Sequence, residues 1–357
     1  MSTTVNPADN LELKGHFTKE NLKVGREDEQ PLAKSELDFK IPKFFITQNE
    51  LAELFKISPQ AAHMWMKYNQ IESFKFKNKT ALIPSETRKF MSKKGFNYPH
   101  LILAFQMLKG GSTKTSCAFN LAVRLNQYGA RVLCVDADMQ GNLTDSFGID
   151  IDDDDSIPLL IDVVRKQASI NEAIININEG LDIIPSDFEN SSLELEINSL
   201  HPNLKTFISK ILEPVKNNYD FIIIDCNPSL SALNISIALS ADKLIIPVNP
   251  DKFSRKGLKK SIKEIQRWEE SYGSKFDYQL LFTLYDAREA SSQRYLIEYG
   301  NLHHNKLIST VIRRNADVKN AIDRKLSIFD FKKAPAREDF DLLALEMLGL
   351  RDMADKK

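Results

Sequence analysis

The sequence predicts an α/β fold, a doubly wound and mostly parallel sheet preceded by a small separate unit, on three observations. From Leu101 onward short apolar runs alternate with helical patterns, the signature of strands joined by crossover helices. Runs such as Phe221-Ile222-Ile223-Ile224 are continuously apolar, as strands covered on both faces must be. Before Leu101 the pattern changes to short capped helices and one alternating, lysine-rich hairpin.

Composition narrows the classes. A chain of 357 residues suggests about two or three domains. The formal net charge of −1 neither requires nor excludes a locally basic surface. The N-terminus has no apolar secretory region and no run is long enough to span a bilayer, so a cytoplasmic protein is expected. Cys117, Cys134 and Cys226 each lie in an apolar segment and none forms a CxxC pair, which fits core residues in a reducing compartment.

Residues 1–40 are polar and charged and read as a tail with a short helix at 34–40. Residues 41–98 are better defined. Thr47 and Glu50 make a capping box, and Leu51, Ala52, Leu54 and Phe55 give the helix that follows an apolar side. Ser58 caps a second helix with Pro59 at its first position, running to Tyr68 with Ala62, Trp65 and Met66 inward. The stretch from Leu51 to Met66 resembles a helix-turn-helix position by position, with Lys56 where the turn glycine is common. Residues 74–83 alternate like a hairpin with a basic tip, and Pro84-Ser85-Glu86 opens a helix to about residue 94. The functional reading is a winged helix-turn-helix that binds operator DNA, with Gln60, His63 and Lys67 facing the major groove and Lys77 on the wing. The alternative is a small helical module for dimer contacts. Residues 95–99 mark the linker to a domain covering 99–357.

In that domain the candidate strands are 101–107, 131–136, 181–185, 220–225, 243–248, 279–284 and 307–311. The candidate helices are 114–128, 157–167, 191–200, 204–216, 230–239, 254–271, 291–299, 317–324 and 337–348. Ligands are expected at the carboxyl ends of the strands. Asp152 to Asp155 form a solvated acidic loop, and the adjacent His303 and His304 are surface residues rather than a metal pair.

Three strand ends carry compatible chemistry. After the first strand come Gly110-Gly111, whose backbone can approach phosphate unobstructed, then Lys114 for the β- and γ-phosphates and the Thr115 hydroxyl for Mg²⁺. The next strand ends in Asp136-Ala137-Asp138, two carboxylates spaced to one side. The run 221–225 ends in Asp225, placed to hold a Mg²⁺-bound water. The loop departs from the plain phosphate-loop pattern, with Leu108 and Thr113 at its framing glycine positions and an additional Lys109 ahead of the glycines. A threonine at position 113 requires negative φ or tolerates strain.

Lys109-Gly110-Gly111-Ser112-Thr113-Lys114-Thr115 resembles the deviant Walker A motif of the ParA/MinD ATPases. Residues 136–142 resemble the aspartate motif of ParA partition proteins, Asp225-Cys226-Asn227-Pro228 their third motif, and Ile245-Ile246-Pro247-Val248-Asn249-Pro250-Asp251 their proline-containing adenine loop. The additional N-terminal unit resembles the larger plasmid ParA proteins. The resemblance covers residues 101 to the C-terminus and implies an ATPase, slow without a partner, using ATP/ADP and Mg²⁺. It implies catalytic roles for Lys109, Lys114 and Asp138, with Lys109 reaching in trans across a homodimer. It implies nucleotide contacts from Gly110, Gly111, Ser112, Thr113, Lys114, Thr115, Ser116, Pro247, Asn249, Pro250 and Asp251, and Mg²⁺ support from Thr115, Asp136 and Asp225. Asn227 stands where proline is common.

Residues 252–263 are dense in lysine, and Lys256, Lys260, Lys263 and Arg267 recur at helical spacing. Arg313, Arg314, Lys319 and Arg324 form a second basic group. These faces suit sequence-independent DNA; the plain alternative is a solvated helix face. The expected function is therefore a bacterial, nucleoid-associated partition ATPase. Its expected partners are nonspecific DNA, operator DNA and a ParB-like centromere-binding protein, with no membrane role, because residues 337–355 are too acidic for anionic lipid. The competing reading is a nucleotide-switched transcriptional regulator without a partition role.

Overall fold

The computed structural model describes residues 44–107, 113–151, 157–200, 202–331 and 334–351. The expected tail at 1–40, the acidic loop and five loop residues (Leu108, Lys109, Gly110, Gly111 and Ser112) lie outside the described residues.

The chain begins with β1 (Ile46–Thr47), α1 (Gln48–Leu54), α2 (Pro59–Tyr68), β2 (Phe74–Phe76), β3 (Lys79–Leu82) and α3 (Pro84–Lys93). The expected capping box forms: Glu50 N–H donates to Thr47 Oγ1 at 3.3 Å and Thr47 N–H donates to Glu50 Oε2 at 2.9 Å. Ser58 caps α2 by accepting from Ala61 N–H at 3.1 Å. Lys56, standing where the pattern expects glycine, has a left-handed φ of 52°, so the position does demand the conformation that glycine adopts most readily. β1 and β2 flank β3 in a small antiparallel sheet. Leu51, Ala52, Ala62, Met66, Leu82 and Phe90 make the core between helices and sheet.

The larger sheet uses β4 (Leu101–Phe105), β5 (Val132–Ala137), β6 (Ile175–Asn178), β7 (Leu181–Ile184), β8 (Phe221–Cys226), β9 (Lys243–Val248), β10 (Tyr278–Tyr285) and β11 (Leu307–Arg313). Its order is β11-β10-β9-β4-β8-β5-β7-β6. All neighbours are parallel except the edge strand β6, which is antiparallel to β7. Every residue of β5 and β8 is buried, which is why those runs carry no polar alternation. The helices are α4 (Lys114–Gln127), α5 (Asn142–Ser146), α6 (Leu160–Val164), α7 (Leu193–Leu200), α8 (Phe207–Leu212), α9 (Ala232–Ser240), α10 (Lys252–Tyr272), α11 (Ala290–His303), α12 (Ala316–Ile322) and α13 (Pro335–Met347). Among the described residues no helix is long and apolar enough to cross a membrane.

Two helices are shorter than expected. α6 begins only at Leu160, after an extended N-cap Leu159 whose N–H donates to Asp162 Oδ2 at 2.8 Å, and it stops where Lys166 turns left-handed at φ 60°. Pro214 cannot donate, so α8 ends at Leu212 instead of running to 216. β6 was not expected as a strand.

The N-terminal elements pack directly on the large sheet's helices. Arg88 of α3 donates to Asp220 Oδ2 at 2.5 Å and to Gly129 O at 3.0 Å. Gly129 is left-handed, and a Cβ there would meet Arg88 N at 2.5 Å, so only glycine lets the two backbones meet. The expected linker is packed as well: Tyr98 is 9% exposed and donates to Tyr128 O at 2.7 Å. Glu50 of α1 accepts from Arg124 of α4 at 3.2 Å and from Arg337 of α13 at 2.9 Å. Arg124 is 2% exposed and also donates to Asp341 at 2.6 Å. Burial alone would raise the Glu50 pKa, but Arg124 and Arg337 outweigh it and hold the carboxyl at about 2.

A group with a depressed folded pKa gives stability that is present above its unfolded pKa, near 4.5, and lost as pH falls toward 2. Glu50→Gln is therefore expected to destabilise the chain at pH 7 by about 2 kcal/mol and to flatten the loss of stability between pH 5 and 3. Urea unfolding at several pH values checks both; an unchanged acid limb would show that Glu50 does not secure this junction.

Candidate functional site

The site forms where α4 starts, at the carboxyl ends of three adjacent strands, β4, β8 and β5. α4 cannot lie far from the sheet because nearly its whole surface is apolar or matched: Cys117, Ala118, Leu121, Ala122 and Leu125 are at most 1% exposed. Its first residue, Lys114, is 7% exposed, and no hydrogen bond or ion pair engages its ammonium among the described residues. Thr113 precedes the helix as its N-cap, but its side chain does not cap it. The Thr113 hydroxyl instead donates to Thr283 Oγ1 of β10 at 3.0 Å. A helix start that its N-cap side chain leaves uncapped, beside a buried lysine, suits an anion.

The acids come from the neighbouring strand ends. Asp136 and Asp225 are in register across β5 and β8 and are fully buried. Thr115 donates to Asp225 Oδ2 at 2.5 Å, while Asp225 Oδ1, also buried, accepts no hydrogen bond among the described residues. Burial first, and then the Asp136 charge, push the Asp225 carboxyl up to about 8, offset in part by Thr115 and Lys114. Burial raises Asp136 to about 7 against hydrogen bonds from Thr144. Thr144 of α5 holds Asp136 Oδ2 with both its N–H, at 2.9 Å, and its hydroxyl, at 2.8 Å. Asp138 is 9% exposed, and its Oδ1 accepts from Gln140 N–H at 3.1 Å.

This arrangement fits a divalent cation. An orphaned carboxylate oxygen next to a hydroxyl, in a pair of desolvated acids, is an oxygen-donor set short of positive charge. A cavity of about 210 Å³ opens on the other side of Thr113 and Ser116. Thr283, Leu284, Arg313, Asn315 and Phe340 line it from the ends of β10 and β11 and from α13. Leu284 is left-handed, φ 56°, and the β10–β11 register slips at that point, which bends β10 away from its neighbour. The described lining contains no carboxylate. Asp286, two residues on, is bound by its own neighbour Arg288 at 2.9 and 2.7 Å.

The structure thus brings Lys114, Thr115, Asp136, Asp138 and Asp225 together, with Thr113 and Ser116 between them and the cavity. Lys109, Gly110, Gly111 and Ser112 lie outside the described residues. The expected adenine loop is not at the cavity. Pro247 is buried inside β9, Pro250 is half-buried and does not line the cavity, and Asp251 caps α10 by accepting from Ser254 N–H at 2.7 Å. Asn249 is linked to the start of α4 through Thr283, whose hydroxyl donates to Asn249 Oδ1 at 2.7 Å. Sequence reasoning missed Thr144 and Thr283. Thr144 had one local signal, a hydroxyl just inside the helix that follows Asp136-Ala137-Asp138.

The basic residues separate into two kinds. Lys256 and Lys260 are exposed on α10 opposite its buried Gly257, Leu258, Ser261 and Ile265. Gln60, His63 and Lys67 are exposed on α2, and Lys77 sits at the β2–β3 turn with φ 52°. Arg313 is committed elsewhere: it donates to Asp339 at 2.9 Å, Glu338 at 2.9 Å and Pro335 O at 2.8 Å, fastening β11 to α13. Arg314 pairs with Glu289 at 2.9 Å. Both were expected in a second basic group suited to DNA; acids 25 residues or more away in sequence engage them.

Comparison with known proteins agrees with this geometry. A family model described as an AAA domain matches residues 100–278. The chromosome partitioning protein ParA of Caulobacter vibrioides is 31% identical over 242 residues, which are 66% of this chain and 90% of that one. The sporulation initiation inhibitor protein Soj of Bacillus subtilis is 32% identical over 224 residues, 62% of this chain and 87% of that one. Among solved structures, the ATP complex of McdA from Cyanothece shares the fold, with a TM-score of 0.63 at 23% identity over 70% of this chain and 97% of that one. With the α/β sheet, the lysine and hydroxyl at the start of α4 and the strand-end acids in place, the chain belongs to the ParA/Soj family of partition ATPases.

Proposed function

We propose that this chain is an ATP-dependent DNA partition ATPase whose ATP-bound form is a dimer that holds nonspecific DNA and lets it go after hydrolysis stimulated by a ParB-like partner. The observation that carries the reading is the convergence of Lys114, Thr115, Asp136, Asp138 and Asp225 at the start of α4. Lys114 binds the β- and γ-phosphates, and the first-turn amides of α4 support it. Thr115 and Asp225 would hold Mg²⁺, which supplies charge neutralisation on the phosphate oxygens. Asp136, locked by Thr144, orients the waters on that side. Asp138 keeps one oxygen on Gln140 and uses the other to orient the attacking water. Lys109 contacts the partner's nucleotide in trans, with Gly110, Gly111 and Ser112 cradling phosphate. The 210 Å³ cavity takes the nucleoside. A guanine would present its N1–H and N2–H donors there with no carboxylate among the described lining to accept them, so adenine is favoured.

Lys256 and Lys260, joined by Lys263, form the nonspecific DNA face on α10. They meet no acidic partner among the described residues, unlike Arg313 and Arg314. A winged helix-turn-helix formed by α1, α2 and the β2–β3 hairpin adds operator binding through Gln60, His63, Lys67 and Lys77, and so autorepression. The exposed polar face of α2 favours that second role. A pure nucleotide-switched regulator is the competing reading.

Lys114→Ala is expected to lose ATP binding and with it ATP-dependent binding of random duplex DNA. Lys109→Ala should still bind ATP as a monomer but fail to dimerise with it, as read by light scattering; ATP-dependent dimers of Lys109→Ala would make the loop an ordinary cis one.

Asp225→Asn removes a buried charge that only a cation can match. At pH 8 in EDTA it should melt above the native chain by on the order of 5 °C. Mg²⁺-ATP should then raise the melting point of the native chain and not of the variant. Equal protection of both would remove Asp225 from the Mg²⁺ site.

Deleting residues 1–98 would uncover Arg124, Gly129 and Asp220, so substitutions separate the two readings more cleanly. Gln60→Ala/His63→Ala/Lys67→Ala should abolish sequence-specific operator binding while ATP-dependent binding of random DNA persists. Loss of both together would favour the regulator.

A further inference from the structure

The position before Lys114 carries a β-branched residue in a left-handed conformation, Thr113 at φ 62°, where the loop pattern calls for glycine. A chain of hydrogen bonds, buried beyond Thr113 itself, holds it there. Thr113 Oγ1 donates to Thr283 Oγ1 at 3.0 Å. The Thr283 hydroxyl has a single proton, and its better acceptor is Asn249 Oδ1, at 2.7 Å, rather than Val248 O, at 3.4 Å. The Asn249 N–H in turn donates to Ser254 Oγ at 2.8 Å. Thr283 is 1% exposed, Asn249 4% and Ser254 0%, so the bonds among these three are withdrawn from bulk water, while Thr113 itself is half-buried. The chain therefore runs with one polarity from the start of α4, across β10 and the end of β9, into the first turn of α10.

We infer that Thr283, with Asn249 behind it, is a positioning residue of the nucleotide site: it braces Thr113 in the left-handed conformation that sets the direction of α4 and the place of Lys114. The brace replaces by hydrogen bonding what a glycine would supply by freedom of φ. This inference rests on the reading that Lys114 and Thr115 bind the phosphates of ATP. The bonds do not cap α4, because the hydroxyl that would normally do so points to β10. They therefore leave the first-turn amides to the ligand while fixing the residue that precedes them.

The test is binding of a fluorescent ATP analogue, mant-ATP with Mg²⁺, to the full chain and its variants, with melting curves alongside. Thr283→Val, which keeps the shape and deletes the hydroxyl, should weaken binding about tenfold. Thr283→Ser, which keeps the hydroxyl, should restore it to within about twofold. In a Thr113→Gly background, Thr283→Val should change affinity less than about twofold, because glycine needs no brace. An equal loss in both backgrounds, or no loss in the native one, overturns the inference. Should Thr283→Val fail to fold, Thr113→Ala and Thr113→Gly decide. Both lack the hydroxyl, but only alanine is strained, so alanine should bind about tenfold more weakly; equal affinities overturn the brace. If the native chain itself does not bind mant-ATP, the nucleotide reading fails first and the brace falls with it.

Discussion

The structure depends on an electrostatic imbalance at the carboxyl edge of the sheet. Parallel pairing of β5 with β8 sets Asp136 against Asp225, two carboxylates taken wholly out of water and raised above the usual carboxylate range. Desolvation of this kind is tolerated only where something positive can meet it. Thr144 satisfies Asp136 with two hydrogen bonds, but Asp225 keeps one buried oxygen without a partner. Lys114, itself buried, lies close enough to lower the Asp225 pKa without forming an ion pair to it. The described residues therefore leave both a carboxylate and an ammonium incompletely matched in one place. An anion for the lysine and a divalent cation for the acid resolve both at once, which is what a Mg²⁺-nucleotide is.

α4 carries that imbalance into the rest of the molecule. It is buried on almost every side, and its interior polar residues are each matched by a different segment. Asn120 Oδ1 accepts from Ile328 N–H at 2.8 Å, Asn126 donates to Glu179 O at 2.9 Å, and Arg124 reaches Glu50 and Asp341. A helix held at so many points along its length shifts as a rigid body rather than bending. The N-terminal elements grip α4 and α13 together through Glu50, and α13 also holds Arg313 at the rim of the cavity. The two ends of α4 thus belong to different tasks while sharing one rigid rod.

How much of this was legible depends on whether the signal was local. The seven parallel strands announce themselves as apolar runs, and Asp136, Asp138, Asp225, Lys114 and Thr115 fall at strand ends or a helix start where their spacing gives them away. β6 was missed because an antiparallel edge strand shows only weak alternation, Ile175-Asn176-Ile177-Asn178, although the Glu179-Gly180 that follows is a turn signal. The overextended helix at 204–216 had a legible stop in Pro214 that apolar periodicity masked. The ion pairs of Arg313 and Arg314 were not legible because their acids lie far away in sequence. The cavity lies at the ends of β10 and β11, where the register slips between Phe282 and Tyr285, a tertiary feature that no composition rule anticipates.

Thr113 shows where the two levels meet. Its departure from glycine was visible in the sequence, and so was the conformational question it raised. A left-handed β-branched residue costs on the order of 1–3 kcal/mol and persists only where its surroundings fix it. What fixes it is 136 to 170 residues away in the chain, at Asn249 and Thr283, and reaches it through side-chain hydroxyls rather than backbone pattern. A strained residue at a ligand site is thereby made part of the scaffold. The start of α4 is held by its connection to β10 and not by a cap of its own, which leaves its first-turn amides for the phosphate.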